Sequence, residues 1–453
     1  MLSDGGGRGA SPSPTLAART PTVYSNVRKL ADGASTILSA TDRDSTTPQD
    51  AERLTFRYER LRAIAAGVIE TAGGTFLLLI AVTHFNAGRT EKALVASGGN
   101  PGLLLTPLVI FAVSTLGWRT SLGAARILLL GAGGFMAAAL FPVLPVFIAG
   151  SMLGLACTSA CIPLLTQMYH DNYPAEKRGR LFSSTVMIRI VAAAGFSYAG
   201  GRLLSINMGS FQGLLLMFSV ALMASSYCLW RCPSRPLAGG MRARPFSGLK
   251  YVKEDYLFRQ TLISWMLMGT GNLMIYTLRV EYMANPAYGE AFSAADVALL
   301  TGVVPNIARL LLCPIWGRLF DRMNFFTMRI VLNFGLALGA LTFFAGRDMS
   351  GMMLGAVIFG VSNAGGEVAW SLWVTKLARP ERVAEYMSVH TFLTGLRGVL
   401  APLLSYYLLA WISFNTLSFI SAALIVLASL LLLPEIRALR AKPAVKLVEE
   451  VPE

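Results

Sequence analysis

The sequence predicts an all-α protein that crosses a lipid bilayer many times. Of the 453 residues, 54% are hydrophobic and only 14% are charged, whereas a soluble domain carries about 25% charged residues. The apolar residues are grouped in blocks of about 20, the length that a helix needs to cross the hydrocarbon core. The basic residues, which bring the formal net charge to +14, lie in small clusters between these blocks.

Twelve apolar blocks are long enough to span a bilayer, and we number them spans 1 to 12 in chain order. They occupy residues 62–86, 101–118, 124–142, 144–169, 182–205, 211–231, 260–284, 296–316, 326–345, 350–375, 386–409 and 413–433. An even number of spans places both termini on the same side of the membrane. We therefore expect a protein with a cytoplasmic or an external pair of tails.

The distribution of Lys and Arg selects the cytoplasmic alternative. If the N-terminus is inside, only Arg89, Lys92, Arg202, Arg279 and Arg347 fall in the external connections, and the other clusters face the cytoplasm. Cytoplasmic loops are enriched in these residues. The same rule explains the positive net charge without a nucleic-acid partner, and we expect a multi-pass protein of the plasma (inner) membrane.

Composition divides the chain into five regions. Residues 1–58 are rich in Gly, Ser, Thr, Pro and Ala and predict a disordered cytoplasmic tail. A basic linker, 233–259, separates six spans in 59–232 from six spans in 260–434, and residues 435–453 form a second cytoplasmic tail. The two halves are predicted to be six-helix bundles.

Landmarks recur in the two halves at similar offsets. Pro174 follows Gly154 in span 4 as Pro380 follows Gly360 in span 10. Spans 5 and 11 share an arginine followed eight residues later by Ser-Tyr, at Arg189 and Arg397. A tandem repeat of this kind is the plan of secondary transporters, whose binding site lies between the halves near the bilayer midplane.

One loop carries a family resemblance. The segment PIWGRLFDRMNFFTMR, from Pro314 to Arg329, resembles the Gly-x-x-x-Asp-Arg signature of the major facilitator superfamily, and the loop after span 4 resembles the second-loop pattern of the same family. The resemblance implies a fold of two six-helix bundles related by pseudo-two-fold symmetry, covering about 59–434. It also implies a cytoplasmic gate that holds the outward-facing state, for which the matching residues are Gly317, Asp321, Arg322 and Arg178.

Two departures from the family pattern affect function. The first-half copy of the signature has Ser121 and Leu122 in place of the acid and the arginine, so its gate should be weaker or built differently. Span 5 keeps Gly200-Gly201 but lacks the Gly-Pro of the drug and proton antiporters. This departure counts against a drug or metabolite efflux antiporter, which we keep as an alternative and not as the leading prediction.

Five charged residues lie in the central part of predicted spans, away from the membrane surfaces. A charge at the bilayer centre costs at least about 2.5 to 3.5 kcal/mol, so such residues usually face a cavity and a partner. The implied fold places all five on helices that form or flank the central cavity. They are Glu70, Arg189, Arg309, Glu367 and Arg397.

Two roles are open for these charges. Glu70 or Glu367 could carry a coupling proton, because burial favours the neutral form of a carboxyl group, and sugar and proton symporters of the family also hold an acid in span 1. Alternatively, both acids are counter-ions to the three arginines in a network that switches or is a fixed packing element. Three arginines against two acids would leave one positive charge for an anionic substrate.

Helical spacing adds polar neighbours to the candidate cavity. Asn363, Glu367 and Trp370 share one face of span 10, and His390, Thr394 and Arg397 share one face of span 11. A tryptophan beside hydrogen-bonding groups could stack on a sugar ring, although core packing is its commoner role. Asn272 in span 7 completes the set of substrate-cavity candidates.

The sequence therefore predicts a secondary transporter of a small solute, with a sugar or an organic anion favoured, protons or sodium as coupling ion, and a monomer in the bilayer. The five cysteines lie in or beside apolar blocks, and neither a metal site nor a cofactor motif is expected. Gly195-Phe196-Ser197-Tyr198-Ala199 misses the last glycine of Gly-x-Ser-x-Gly, so an enzyme is not expected. A non-transporting sensor or scaffold with the same fold is the remaining class.

Overall fold

The computed structural model describes residues 47–236, 249–289, 291–346, 348–372, 383–434 and 436. Over these residues the chain is helical almost throughout, and β-pairing is limited to an isolated bridge between Arg119 and Pro236. The all-α membrane fold is thus confirmed. The predicted tails and the middle of the linker lie largely outside the described residues.

Each predicted span coincides with a helical segment. The α-helices are Pro48–Thr71, Leu77–Thr83, Arg89–Ser97, Asn100–Thr115, Thr120–Leu140, Leu144–Ala160, Ile162–Asn172, Ala175–Ile206, Phe211–Arg231, Lys250–Glu254, Tyr256–Tyr276, Leu278–Ala284, Ala294–Ala298, Val304–Arg322, Phe325–Phe344, Met349–Leu372, Val383–Leu408 and Phe414–Leu430. Short 3₁₀ turns occupy Met208–Ser210 and Pro286–Tyr288.

Nine of the described helices are long and apolar enough to cross a membrane alone, and ten if the bent pair in span 2 counts as one crossing. Phe414–Leu430 in span 12 is apolar but shorter, and Tyr256–Tyr276 in span 7 contains Gln260 and Asn272. The first helix begins at Pro48, well before the predicted end of the tail at residue 58. Its early turns are helical because Thr55 and Glu59 are buried against the rest of the chain.

The same helix pairs pack together in the two halves. Span 3 packs on spans 4 and 6, as span 9 packs on spans 10 and 12. Span 1 packs on spans 5 and 6, as span 7 packs on spans 11 and 12, and the pairs 2 with 4 and 8 with 10 also correspond. This repeated packing is the arrangement that a pseudo-two-fold relation between the halves produces.

Contacts between the halves involve only a few spans. Span 11 packs along span 2, span 5 packs along span 8, and the end of span 7 meets the end of span 1. Glycines permit the closest approach, since a Cβ at Gly395 would lie 2.7 Å from the backbone nitrogen of Leu104. The region between spans 1, 5, 7, 8 and 10 is left to form a cavity.

Three helices are irregular beside this region. Spans 1 and 8 each contain a π-helical turn, Ala72–Phe76 and Leu299–Val303, and such turns occur frequently at functional sites. The helix of span 2, Asn100–Thr115, is bent by 49° relative to the preceding helix Arg89–Ser97. At the bend, Gly98 has a φ of +51°. A residue with a Cβ would be strained at that position.

The start of the linker is attached to the connection between spans 2 and 3. The Ser121 hydroxyl donates to the Cys232 carbonyl at 2.9 Å and lies 2.7 Å from the Ser234 hydroxyl. The Thr120 amide donates to the Arg235 carbonyl at 3.2 Å. Ser121, which replaces the acid of the family signature, therefore anchors the chain that leaves span 6.

Candidate substrate cavity and charge ring

A polar cavity of about 370 Å3 lies between the two halves. Its volume is within the range of about 300 to 1,000 Å3 that is usual for small-molecule sites. Spans 1, 5, 7, 8 and 10 contribute side chains to its wall. These are Glu70, Thr71, Thr75, Ser197, Asn272, Leu273, Tyr276, Thr301, Pro305, Asn306, Arg309, Asn363 and Glu367, with Gly74, Gly302 and Gly366.

Four charged side chains form a closed ring at the edge of this cavity. Glu70 of span 1 and Arg189 of span 5 come from the first half, and Arg309 of span 8 and Glu367 of span 10 come from the second. Glutamate and arginine alternate around the ring, so each charge has two partners of opposite sign. We call this group the charge ring.

The geometry of the ring is that of four salt bridges. Glu70 Oε2 lies 3.1 Å from Arg189 Nε, and Glu367 Oε2 lies 2.7 Å from Arg309 Nη2. Glu70 also contacts Arg309 Nη1, and Glu367 contacts Arg189 Nη2. The exposed fractions of the four side chains are 13 to 31%, so the ring is shielded but not sealed from solvent.

The pairing divides the ring into two neutral pairs. Glu70 with Arg189 lies within the first half, and Arg309 with Glu367 lies within the second. The other two salt bridges, Glu70 to Arg309 and Arg189 to Glu367, connect the halves. If the halves separate, each keeps one acid and one arginine together, which avoids the several kcal/mol that an isolated buried charge costs.

Two oxygen atoms in the cavity wall have no hydrogen-bond partner among the described residues. They are Asn272 Oδ1 in span 7 and Ser197 Oγ in span 5, and both are buried. In contrast, Asn306 Oδ1 accepts a hydrogen bond from Arg309 at 2.6 Å. Buried polar atoms are almost always paired, so these two acceptors indicate where a bound molecule or water would be hydrogen-bonded.

The two π-helical turns meet between the ring and the ends of spans 1 and 7. Thr75 of span 1 and Thr301 of span 8 are buried and their hydroxyls lie 2.8 Å apart. Thr301 donates to the Val297 carbonyl at 2.7 Å, so Thr75 is the donor in the pair between the halves. This contact closes the cavity towards the ends of spans 1 and 7.

The structure brings together most, but not all, of the predicted cavity residues. Glu70, Arg309, Asn363, Glu367 and Asn272 line the cavity, and Arg189 joins them through the ring. The other four are not part of the cavity wall. These are Trp370, His390, Thr394 and Arg397.

The face of span 11 packs into the second half instead. His390 is fully buried with its ring centroid 5.2 Å from that of Trp265 and 5.9 Å from that of Trp370. Arg397 donates to the Trp265 carbonyl of span 7. The predicted surplus of one arginine over the acids is therefore wrong for the cavity, because the ring holds two of each.

The predicted gate residues are only partly described. Gly317 and Arg322 lie in the helix Val304–Arg322, and a Cβ at Gly317 would meet no atom within 4 Å. The side chain of Asp321 lies outside the described residues. Arg178 donates to the His170 and Tyr173 carbonyls at 3.1 and 3.2 Å, which caps the end of span 4 within its own half.

A second ion pair between the halves was not predicted from the sequence. Lys92 Nζ lies 2.5 Å from Glu281 Oε1, and Asn285 Nδ2 donates to the same oxygen at 2.6 Å. Glu281 is completely buried. The sequence could have identified Glu281 as a candidate, because it lies inside predicted span 7 and an acid within an apolar block is often functional.

Lys92 and Glu281 lie on the same side of the ring as the Thr75 and Thr301 pair. Thr90 and Tyr407, which also belong to different halves, contact there through hydroxyls 2.7 Å apart. We call this side, where spans 1, 7 and 11 end, the closed face. Two hydrogen bonds between hydroxyls and one buried ion pair hold the halves together on it among the residues described above.

Comparison with known proteins relates part of the sequence to a family. The model of the Major Facilitator Superfamily matches residues 280–448. Over these residues the sequence is similar to the major facilitator superfamily. Among curated proteins, none matches the sequence significantly.

Solved structures of superfamily transporters share the fold. A mutant of the nucleoside transporter NupG is 14% identical with a TM-score of 0.67, over 84% of this chain and 99% of that one. A D-xylose-proton symporter is 13% identical with a TM-score of 0.66, over 84% and 96%. The xylose transporter XylE from E. coli, in an inward open conformation, is 15% identical with a TM-score of 0.57, over 84% and 94%. At this identity the likeness concerns the fold.

Proposed function

We propose that the chain is a secondary active transporter that moves a small polar solute across a membrane by alternating access. The observation that carries this proposal is the charge ring, which lies between the halves and at the edge of a cavity of about 370 Å3. The ring contains partly buried charges that a purely structural core would replace by apolar residues at little cost. The match of residues 280–448 to the superfamily model and the fold shared with solved transporters support the same function.

The ring suits a rocking motion of the two halves. Its opening breaks only Glu70 to Arg309 and Arg189 to Glu367, and each half keeps a neutral pair. The halves can thus separate at the ring without exposing a lone charge to the membrane interior. With both termini in the cytoplasm, as we also propose, the closed face is the external one.

We propose that transport is coupled to protons through one of the two carboxylates of the ring. Glu70 and Glu367 both line the cavity, where a proton can reach them. Protonation of either residue removes its negative charge from two salt bridges and so favours opening of the ring. The expected preference for an organic anion loses its support, because the ring has no positive surplus.

The experiment is a comparison of gradient-driven uptake and exchange in proteoliposomes. A Glu70→Gln or Glu367→Gln change at the proton site should abolish uptake driven by a pH gradient, while solute exchange across the bilayer continues. The other variant should retain a response to the gradient. Uptake that is driven by a pH gradient and survives in both variants would show that neither carboxylate is the proton site, and wild-type uptake that does not respond to a pH gradient would remove protons from the proposal.

The alternative classes give different results in the same assay. A sensor or scaffold would bind a ligand without any flux of it. An efflux antiporter would move its solute in the direction opposite to the flow of protons, whereas a symporter moves its solute in the same direction as the protons. Flux of a solute that stabilises the purified protein, with accumulation in the direction of the gradient, is the result that the proposal requires.

A further inference from the structure

We propose that the substrate is a small zwitterion, such as an amino acid, whose charged groups insert into the Glu70 and Arg309 salt bridge. The inference rests on the proposed transport function and specifies the chemistry of its site. The observation behind it is which members of the charge ring face the cavity. Glu70, Arg309 and Glu367 line the cavity, whereas Arg189 is not among the lining residues.

A solute in the cavity therefore meets one guanidinium and two carboxylates. The guanidinium of Arg309 is a planar fork that matches a carboxylate with two parallel hydrogen bonds. A carboxylate of the protein in turn matches an ammonium group. The side of the ring open to the solute thus offers a partner to each end of a zwitterion.

Exchange of partners preserves the charge balance of the site. The substrate ammonium takes the place of Arg309 beside Glu70, and the substrate carboxylate takes the place of Glu70 beside Arg309. A simple anion would leave Glu70 without its second partner, and a simple cation would do the same to Arg309. Loss of one partner from an ion pair that is shielded from solvent is unfavourable, which disfavours both.

The exchange also explains how binding and motion are connected. Glu70 and Arg309 belong to different halves, and their salt bridge is one of the two that hold the ring closed. A bound zwitterion lengthens this connection, because it stands between the two side chains. The halves then remain bridged through the substrate while they change their separation.

The rest of the cavity wall suits both the ammonium group and the carbon skeleton of such a substrate. Asn272 Oδ1 is a buried acceptor with no partner among the described residues and can accept a hydrogen bond from an ammonium group. Gly74, Gly302 and Gly366 line the cavity without side chains and leave room for a short carbon skeleton. With Glu70 occupied by the ammonium group, Glu367 is the carboxylate left for the coupling proton.

The experiment measures thermal stabilisation and countertransport with matched solutes. L-alanine is compared with ethylamine, which lacks its carboxylate, and with propanoate, which lacks its ammonium group. L-leucine, isopentylamine and 4-methylpentanoate form a second series, and glucose and uridine are neutral controls. We expect at least one amino acid to bind at least tenfold more tightly than both of its half-charged analogues.

Two variants test the assignment of the charges. Glu70→Gln should weaken binding of the amino acid about tenfold and strengthen binding of the matching acid, because Arg309 has lost a counter-ion. Arg309→Gln should weaken the same amino acid and strengthen the matching amine. This opposite change of preference would not follow from a general loss of structure, and each variant serves as the control for the other.

Other outcomes overturn the proposal. Equal binding of an acid or an amine alone would show a simple ion site, and stabilisation by glucose or uridine alone would show a neutral substrate. If no member of the amino acid series binds, the zwitterion assignment fails even when the variants do not fold. Flux of a different solute would then still support the transport function, whereas an absence of flux for every stabilising solute would contradict both.

Discussion

Arg309 makes the largest number of polar contacts in the charge ring. Its guanidinium reaches Glu70, Glu367 and Asn306 at once, and its side chain is the least exposed of the four at 13%. The planar fork of an arginine can serve three acceptors, whereas the single ammonium of a lysine has no comparable geometry. The contacts of Arg309 therefore determine how firmly the ring joins the two halves.

The first prediction concerns the coupling between Arg309 and Glu70. Arg309→Ala should lower the free energy of unfolding by about 2 to 4 kcal/mol, because it leaves two carboxylates with one partner each. The double change Arg309→Ala with Glu70→Ala should be less destabilising than the sum of the single changes, by about 1 to 3 kcal/mol. Denaturant unfolding in detergent micelles measures both. Additive effects would mean that the two side chains do not interact.

Residue type was easier to predict than residue pairing. All four members of the charge ring were identified from the sequence, because a charge inside an apolar block is unusual. An ion-pair network of these acids and arginines was one of two alternatives, but which arginine meets which acid could not be predicted, since it depends on how spans from different halves meet. Arg397 carries the same signal as Arg189 in the repeated sequence, but it turns towards the Trp265 carbonyl, and only the packing of span 7 against span 11 determines that direction.

At the scale of helices, Gly67 fixes the separation of spans 1 and 5. A Cβ at this position would lie 2.4 Å from the Arg189 carbonyl oxygen and 2.7 Å from the Ala192 Cβ. Because the first clash is with a backbone atom of Arg189, span 5 could make room for a Cβ only if the backbone of Arg189 moved. The glycine thus holds the two helices at the distance at which Glu70 and Arg189 can pair.

The second prediction is that Gly67→Ala destabilises the protein and slows transport. Overpacking of this kind costs about 1 to 3 kcal/mol, and the shift of span 5 should reduce the uptake rate further by moving Arg189. Gly195→Ala in span 5 is the matched control, because nothing lies within 4 Å of a Cβ there. Melting temperature and uptake should be close to wild type for the control; equal losses in both variants would contradict the packing argument.

The positions of the spans could be predicted from hydropathy, but their irregularities could not. The π-helical turns at Ala72–Phe76 and Leu299–Val303 leave no periodic signature in an apolar sequence. The helix at Pro48–Thr71 extends into a polar stretch, where burial of Glu59 and its contact with the Tyr169 hydroxyl at 2.6 Å replace the hydrophobic pattern. The sequence contains two glycines, Gly98 and Gly99, just before span 2. It does not show that Gly98 has a positive φ.

For the whole molecule, the closed face is the feature that sequence patterns did not predict. The expected gate in the loop after span 8 lies on the other side, and the side chain of Asp321 is outside the described residues. Lys92 and Glu281 lie near helix ends, where charged residues usually face solvent. Their burial depends on the meeting of the two halves, which only the assembled structure shows.

The third prediction concerns this ion pair. Lys92→Met leaves the buried carboxylate of Glu281 without its cation and should shift the population towards conformations that are open on the closed face. A cysteine introduced at Ser97, which is fully buried there, should then react about tenfold faster with a polar thiol reagent. Replacement of the half-buried Cys313 by serine lowers the background.

The double change Lys92→Met with Glu281→Met is the control for this experiment. An apolar pair can replace a buried ion pair at little cost, so protection of the introduced cysteine should return. Equal reactivity in the wild-type and Lys92→Met backgrounds would mean that the ion pair does not hold the face closed. Faster reaction in the double variant than in the single one would also contradict the proposed role.

The neutrality of the charge ring has an electrical consequence. Each half contributes one glutamate and one arginine, so the ring of an empty carrier moves no net charge when the halves rock. Moving one elementary charge through a membrane potential of 100 mV involves about 2.3 kcal/mol. In the proposed transport cycle the ring of the unloaded protein therefore returns without electrical work, and the membrane voltage acts on the ring in the step in which one of its carboxylates carries the proposed proton.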